Sequence, residues 1–143
     1  MPTTSSHPSR RAFVAAAASG AALISSRARG QTISSSAEAV IRSGEKLITL
    51  VNVFVVDPAQ LDKLVEVLRD GTATFFSKMP GFVSSSILTA RDRSKAVNYS
   101  QWKTTEEVAG FRRDPRFAPY IKKLSALAKA ESIECEVVHV TRA

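Results

Sequence analysis

Residues 95–103 read KAVNYSQWK, a run in which β-branched and aromatic side chains alternate with polar ones. This alternation is typical of a β-strand whose successive side chains point to opposite faces of a sheet. Asn98, Ser100 and Trp102 therefore share one face. Since buried amide and indole groups need hydrogen-bonding partners, a pocket for a polar aromatic ligand on that face could provide them. Core packing or a subunit interface is the alternative interpretation of these side chains.

Two further strands are predicted before this one. Residues 82–90 and 95–103 flank the polar turn Arg91-Asp92-Arg93-Ser94 and form a hairpin. Residues 46–56 form the first strand, which is apolar on both faces. Asn52 is the lone amide in that strand, and we expect it to share a cavity with Asn98 if the two strands pair.

Two helical regions and a closing strand complete the pattern. Asp57-Pro58 begins the first helix, and Met79-Pro80 ends it. Thr104 with Glu107 forms a capping-box pair for the second region, which restarts at Asp114-Pro115. Residues 133–141 are predicted as the last strand, with His139 in it as a structural side chain.

The order of these elements predicts an α+β fold of the ferredoxin-like βαββαβ type. Four antiparallel strands form one sheet with the helices on one face, and the domain spans residues 46–143. One layer of helices covers only one face of the sheet, yet the first strand is apolar on both. We therefore expect a second copy of the chain to cover the other face, as a homodimer.

Residues 1–30 have the pattern of an export signal, in which Ser9-Arg10-Arg11 precedes an apolar, Ala-rich run. The order S-R-R-x-F resembles a twin-arginine signal. The apolar run is shorter than the ~20 residues of a stable membrane span. We therefore expect a periplasmic or secreted bacterial protein. Residues 31–45 are Ser-rich and are predicted to be a linker.

Charge and composition exclude several classes of protein. The chain carries 20 Lys+Arg and 13 Asp+Glu, a net charge of +7, but four of the arginines and none of the acids lie in residues 1–30. The remainder has 20 − 4 = 16 basic and 13 acidic residues, or +3, which is too weak a charge to predict nucleic-acid binding. One Cys and two His exclude an internal disulfide framework and a three-histidine zinc site.

Residues 46–143 resemble an antibiotic biosynthesis monooxygenase domain. The motifs that carry the resemblance are VNVF at 51–54, Pro80-Gly81-Phe82, VNYSQW at 97–102 and Asp114-Pro115. The resemblance implies a dimeric α/β barrel in which two sheets pack face to face. It also implies oxidation of a phenolic, hydroquinone or anthrone-type substrate by O₂ without metal or flavin.

The resemblance further implies roles for individual residues. Asn98 would stabilise the substrate oxyanion and Trp102 would position the aromatic ring, so these are the predicted catalytic residues. The predicted substrate-binding residues are Asn52, Ser100, Phe76, Phe117 and Tyr120. Family members can carry a Tyr and an Arg where this chain has Val108 and Ile121. Tyr120 and Arg116 are the neighbouring residues of those types.

Two alternatives remain open at the level of sequence. The same pocket could belong to a non-catalytic binding or stress-related module. It could also bind or degrade haem, although residues 117–123 contain no His where the haem-degrading branch has its iron ligand. Arg112, Arg113 and Arg116 are either a solvated surface or a set of cations that attracts an anionic substrate.

Overall fold

A computed structural model describes residues 37–143, so the predicted export signal and residues 31–36 of the predicted linker lie outside the described residues. The elements follow the order βαββαβ. The strands are β1 (Ile48–Val56), β2 (Phe82–Thr89), β3 (Lys95–Trp102) and β4 (Ala128–Cys135), and the helices are α1 (Leu61–Thr74), α2 (Thr105–Arg113) and α3 (Phe117–Ser125). Short 3-10 turns, Pro58–Gln60 and Phe76–Lys78, flank α1.

The four strands form one antiparallel sheet in the order β2-β3-β1-β4. β1 and β3 are therefore the central pair, as expected for the ferredoxin-like arrangement. The predicted α+β fold, with the helices on one face of the sheet, is confirmed. Among the described residues, no helix has both the length and the apolar composition needed to cross a bilayer.

The helix boundaries follow from local capping. Thr104 accepts a hydrogen bond from the backbone N–H of Glu107 (3.3 Å) and caps α2 as predicted. Asp57 accepts one from Ala59 (2.8 Å), but it caps the 3-10 turn Pro58–Gln60 rather than α1, whose own N-cap, Gln60, makes no side-chain bond. The first helix is shorter than predicted, because Phe75 leaves helical geometry at φ −120°, ψ −70°. Phe75 is buried, and Phe76 packs against the same cluster of core residues.

The closing strand differs from its predicted bounds. We expected residues 133–141, but β4 spans Ala128–Cys135 and pairs with β1 from Val56↔Ala128 to Thr49↔Cys135. β4 is a polar edge strand, so its apolar pattern is weak, whereas residues 137–140 read VVHV. Beyond Cys135 the chain is no longer paired with β1, and among the described residues it has no strand partner. His139 therefore lies outside the sheet and is exposed.

The core between sheet and helices consists of two clusters. One contains Phe54, Val56, Leu61, Leu64, Leu68, Ala96 and Leu124. The other contains Leu50, Phe75, Trp102, Val108 and Phe111. Because alternate residues of β1 belong to these clusters, the side chains between them point to the opposite face of the sheet.

Candidate active site

A cavity of about 630 Å³ lies between the helices and the sheet. Phe54 and Leu124 of one core cluster and Leu50, Trp102 and Phe111 of the other line it. This volume is in the usual range of small-molecule sites, roughly 300–1,000 Å³. All the predicted site residues line this one cavity: Asn52, Phe76, Asn98, Ser100, Trp102, Phe117 and Tyr120.

Polar side chains form a row across the floor of this cavity. In the strand register, Asn98 of β3 lies directly opposite Asn52 of β1, and Asn52 lies directly opposite Ser132 of β4. Directly opposite residues have side chains on the same face of the sheet. The predicted proximity of the two amides is therefore a consequence of the register, which places both in an otherwise apolar and aromatic wall.

Asn98 presents a hydrogen-bond donor to the cavity. Its side chain is nearly buried, with 7% exposed, and its Oδ1 accepts a hydrogen bond from Ser85 Oγ at 2.9 Å. Within residues 37–143, the Nδ2 group has no acceptor. The amide carries two N–H donors on Nδ2, so both are available to an oxygen atom of a ligand.

Trp102 contributes its ring rather than its N–H group. The indole Nε1 donates to Ser100 Oγ at 3.2 Å, which satisfies the buried donor. The ring is 1% exposed and packs at 4.6 Å between centroids against Phe111, with Phe76 and Phe82 edge-on. Trp102 therefore forms a rigid aromatic wall at one end of the cavity.

Asn52 is the second amide of the floor and is half-buried. In the part of the chain that the structure describes, its side chain makes no hydrogen bond. Its donor and its acceptor are both free to contact a ligand. The two amides thus differ, because Ser85 fixes the orientation of Asn98 and nothing described fixes that of Asn52.

Tyr120 and Phe76 are in edge-to-face contact on the helical side of the cavity, with their ring centroids 5.1 Å apart. The Tyr120 ring lies against Gly71 of α1, where a Cβ atom would overlap it. Burial raises the pKa of the Tyr120 hydroxyl above its usual value, so the phenol stays neutral. It can donate a hydrogen bond but does not supply a charge.

The two positions that depart from the family pattern have different surroundings. Val108 is fully buried in the core and does not line the cavity, whereas Ile121 does line it and is 41% exposed. Arg116 is no replacement for the missing Arg. It is held away from the cavity by two side-chain bonds to Asp114 at 2.8 Å, which together with its backbone N–H lower the pKa of Asp114 to about 2.

Sequence reasoning missed five polar residues that line the cavity: Thr72, Ser85, Ser125, Lys129 and Ser132. Ser85 and Thr72 look like ordinary surface residues in the sequence, and Ser132 lies just outside the predicted last strand. The only signal for Ser85 is its place in the serine run 84–86, of which one residue must face inward. Of the three arginines that could attract an anion, Arg112 does line the cavity, whereas Arg113 and Arg116 do not.

No group of three or more His, Cys, Asp or Glu residues that could hold a metal occurs among the described residues. The described residues that line the cavity include no His. The described His139 is exposed and hydrogen-bonds Thr141 at 2.8 Å. The described cavity therefore lacks the histidine that would ligate haem iron.

The comparisons with known proteins agree in matching this chain to monooxygenases. A family model described as antibiotic biosynthesis monooxygenase matches residues 47–123. Tetracenomycin-F1 monooxygenase from Streptomyces glaucescens is 36% identical over 101 residues, which are 71% of this chain and 90% of that protein. Deoxynogalonate monooxygenase from Streptomyces nogalater is 32% identical over 87 residues, 59% of this chain and 70% of that one.

Solved structures give the same relationship. A Streptomyces coelicolor monooxygenase from the ActVA-Orf6 gene, in complex with nanaomycin D, superposes with a TM-score of 0.62 and 28% identity, covering 67% of this chain and 91% of that one. SnoaB, a cofactor-independent oxygenase from Streptomyces nogalater, superposes with a TM-score of 0.57 and 28% identity, covering 66% of this chain and 96% of that one.

Proposed function

The chain belongs to the antibiotic biosynthesis monooxygenase family, and we propose that it oxidises a phenolic, hydroquinone or anthrone-type aromatic with O₂ and no cofactor. The observation that carries this proposal is the Nδ2 group of Asn98, which has no acceptor among the described residues and lies in an aromatic-walled cavity. A preorganised donor in such a site stabilises an oxyanion far better than water-exposed donors do. In this proposal the substrate oxygen lies beside Asn98 Nδ2.

The chemistry requires only the substrate and O₂. The ionised phenol is electron-rich and gives an electron to O₂, after which the two radicals combine at a ring carbon. One oxygen atom ends in the new carbonyl group and the other leaves as water. For a phenol the balance is ArH(OH) + O₂ giving quinone + H₂O, so the substrate supplies all the electrons. The phenolic proton goes to solvent.

The cavity supports this proposal by what surrounds the substrate. No Asp, Glu or His of the described residues lines it, and the described titratable Tyr120 is held neutral. A general base is therefore absent from the described wall, and ionisation depends on stabilising the phenolate. Trp102 and Phe76 would hold the aromatic ring beside Asn98, and Asn52 would bind a second oxygen of the substrate.

The experiment is oxygen uptake by the purified protein with a panel of phenols, hydroquinones and anthrones in the presence of a chelator. We expect Asn98→Ala to lower kcat by about 100-fold or more, the usual effect of losing an oxyanion donor. Asn52→Ala is the matched amide variant, and we expect it to change KM more than kcat. Saturable binding without oxygen uptake would instead indicate a non-catalytic binding module.

We propose that the working protein is a homodimer joined through the sheet face that carries Val51, Val53, Val55, Leu88, Val97 and Ile133, here called the helix-free face. No described helix packs on this face. Val55, Leu88 and Ile133 are about half exposed, at 53%, 54% and 43%. Burial of apolar surface is favourable by about 25 cal/mol per Å², so packing of a second copy on this face would stabilise the dimer.

We also propose export to the periplasm or beyond it, on the twin-arginine pattern of residues 9–13. The expected mature protein starts after Ala28 or after Gly30. Mass spectrometry of the protein recovered from the periplasm or medium of a bacterial host tests this. An intact Met1 end on that protein would contradict it.

A further inference from the structure

Among residues 37–143, the charged side chains that line the cavity are both cationic. Arg112 lines it from the end of α2, and no Asp or Glu among residues 37–143 lines it. Lys129 also borders the cavity, but its register pairs it with Val55, whose side chain belongs to the helix-free face. Arg112 is therefore the cation whose side chain meets the cavity from the helical side. Its side chain is 44% exposed, which places it at the boundary with solvent.

The Arg112 guanidinium lies over the Phe111 ring, 5.8 Å from its centroid, and makes only a long ion pair with the described residues. Its Nη1 atom lies 3.8 Å from Glu134 Oε2, and both side chains are about two-fifths exposed. An ion pair this long and this hydrated contributes little, so an incoming anion can replace it. Arg116 is the contrast, because it is fixed by Asp114, by Met79 Sδ at 3.5 Å and by the Phe75 ring.

We propose that Arg112 forms an anion subsite at the mouth of the cavity and binds a carboxylate of the substrate. This inference rests on the proposed function and narrows the substrate class to an acidic aromatic. The phenolic oxygen lies deep at Asn98, and the carboxylate lies at the solvent boundary. A guanidinium group presents five N–H donors in a planar fork, which matches a carboxylate in two parallel hydrogen bonds.

The placement is physically consistent at both ends of the ligand. A carboxylate keeps part of its hydration at the mouth, so its binding does not require burial of a full charge. The aromatic ring of the same molecule fills the dry interior. Glu134 competes for the same guanidinium, so it weakens the subsite while the subsite is empty.

Binding of a hydroxynaphthoic acid and of its methyl ester, measured without oxygen, separates this subsite from catalysis. Trp102 is the single Trp of the chain and lines the cavity, so its fluorescence reports occupancy directly. We expect Arg112→Gln to raise the Kd of the acid about tenfold, the effect of one charge-assisted contact, and to change that of the ester less than about twofold.

Two further variants act as controls in opposite directions. Arg113 is the next residue of α2, is exposed and does not line the cavity, so Arg113→Gln should leave both Kd values unchanged. Glu134→Gln removes the competing carboxylate, so it should lower the Kd of the acid and leave that of the ester unchanged. Raising the salt concentration should raise the Kd of the acid more than that of the ester.

Three results would overturn the subsite: an unchanged Kd of the acid in Arg112→Gln, equal losses for acid and ester, or no saturable quenching by the acid at millimolar concentration. The proposed function fails separately. Acid-selective binding that depends on Arg112, with no oxygen uptake in air, would support the subsite and contradict the oxygenase. Oxygen uptake that shows no preference for the acid over the ester would support the oxygenase and contradict the subsite.

Discussion

At the scale of single residues, the central feature is the hydrogen bond by which Ser85 orients the Asn98 amide. The Ser85 hydroxyl occupies Oδ1 at 2.9 Å, and Nδ2 is left for a ligand. An amide that could rotate would present its carbonyl oxygen to the substrate about as readily, and that oxygen would repel a phenolate. Ser85 is thus a positioning residue for the predicted oxyanion donor.

The Ser85→Ala variant should therefore lower kcat by about tenfold, the effect of one lost hydrogen bond, with little change in KM. Ser85→Thr retains the hydroxyl and should restore most of kcat. Ser86→Ala is the matched control, because Ser86 is the next residue of β2 and points to the helix-free face. Steady-state oxygen uptake measures all three. Equal losses in Ser85→Ala and Ser86→Ala would argue against a positioning role.

The pH dependence should follow the substrate rather than the protein. The described cavity wall contains no Asp, Glu or His, and burial raises the pKa of Tyr120, so that residue stays protonated while a phenol ionises. We expect kcat/KM to rise with pH through the phenol pKa. A substrate whose phenol is more acidic should shift this rise to lower pH by the same amount. A midpoint that does not move with the substrate would reveal a titrating enzyme group.

Much of the site could be predicted at this scale, and the limit has a clear cause. The alternation in residues 95–103 is enough to place Asn98 and Trp102 on one face, and the order of elements places Asn52 beside them. Ser85 could not be assigned, because a register shift between Phe82 and Ser84 decides which serine of the run faces inward. Such an irregularity leaves no mark in the hydrophobic pattern.

At the scale of elements, the entry to β2 and the start of α2 depend on each other. Gly81 has φ +76°, and a Cβ there would overlap the carboxylate of Glu107, which also caps α2 with Thr104. The backbone N–H of Lys103 donates to the carbonyl of Gly81 at 2.9 Å and ties the two loops together. A side chain at residue 81 would be strained by the positive φ and would displace the Glu107 carboxylate.

We expect Gly81→Ala to destabilise the fold by about 2 kcal/mol, because a side chain at φ +76° is strained, and to lower Tm by about 8 °C or more. Gly110→Ala is the matched control, since Gly110 lies inside α2 and an added Cβ atom there would meet no neighbour within 4 Å. It should be neutral or stabilising by up to about 1 kcal/mol. Thermal unfolding followed by circular dichroism compares them. Similar Tm values for the two variants would contradict the coupling.

The same scale shows where sequence patterns are sufficient and where they are not. Capping residues locate the start of the first helical region and of α2, because those signals are local, whereas α1 itself begins at Leu61 and ends at Thr74, before the predicted end at Met79. β4 begins five residues earlier than predicted, because a polar edge strand is defined by pairing with β1 rather than by its own side chains. Ser132 of the cavity floor was missed for that reason.

At the scale of the whole molecule, the described chain covers one face of its sheet better than the other. Packing of the helices buries Leu50 and Phe54, while Val55, Leu88 and Ile133 of the helix-free face stay about half exposed. The Tyr99 hydroxyl belongs to that face and is buried without a partner among the described residues. A second copy packing on this face would cover the apolar side chains.

Sedimentation or light scattering at micromolar concentration should give the mass of a dimer. Leu88→Glu should give a monomer that stays folded, because the side chain is already exposed in one chain and a charge there opposes apolar contact. Val138→Glu is the control, since Val138 is 86% exposed and lies outside the sheet, so this variant should remain dimeric. A monomeric wild-type protein would contradict the proposed interface.

The central claim is that this chain inserts one atom of O₂ into an aromatic substrate without a cofactor. The most direct test is turnover under ¹⁸O₂ with metal-depleted, flavin-free protein and a chelator, followed by mass spectrometry of the quinone. We predict one ¹⁸O atom in each product molecule, no requirement for added reductant, and loss of labelling in Asn98→Ala. Product that carries no ¹⁸O, or that forms equally fast with Asn98→Ala, would contradict this account.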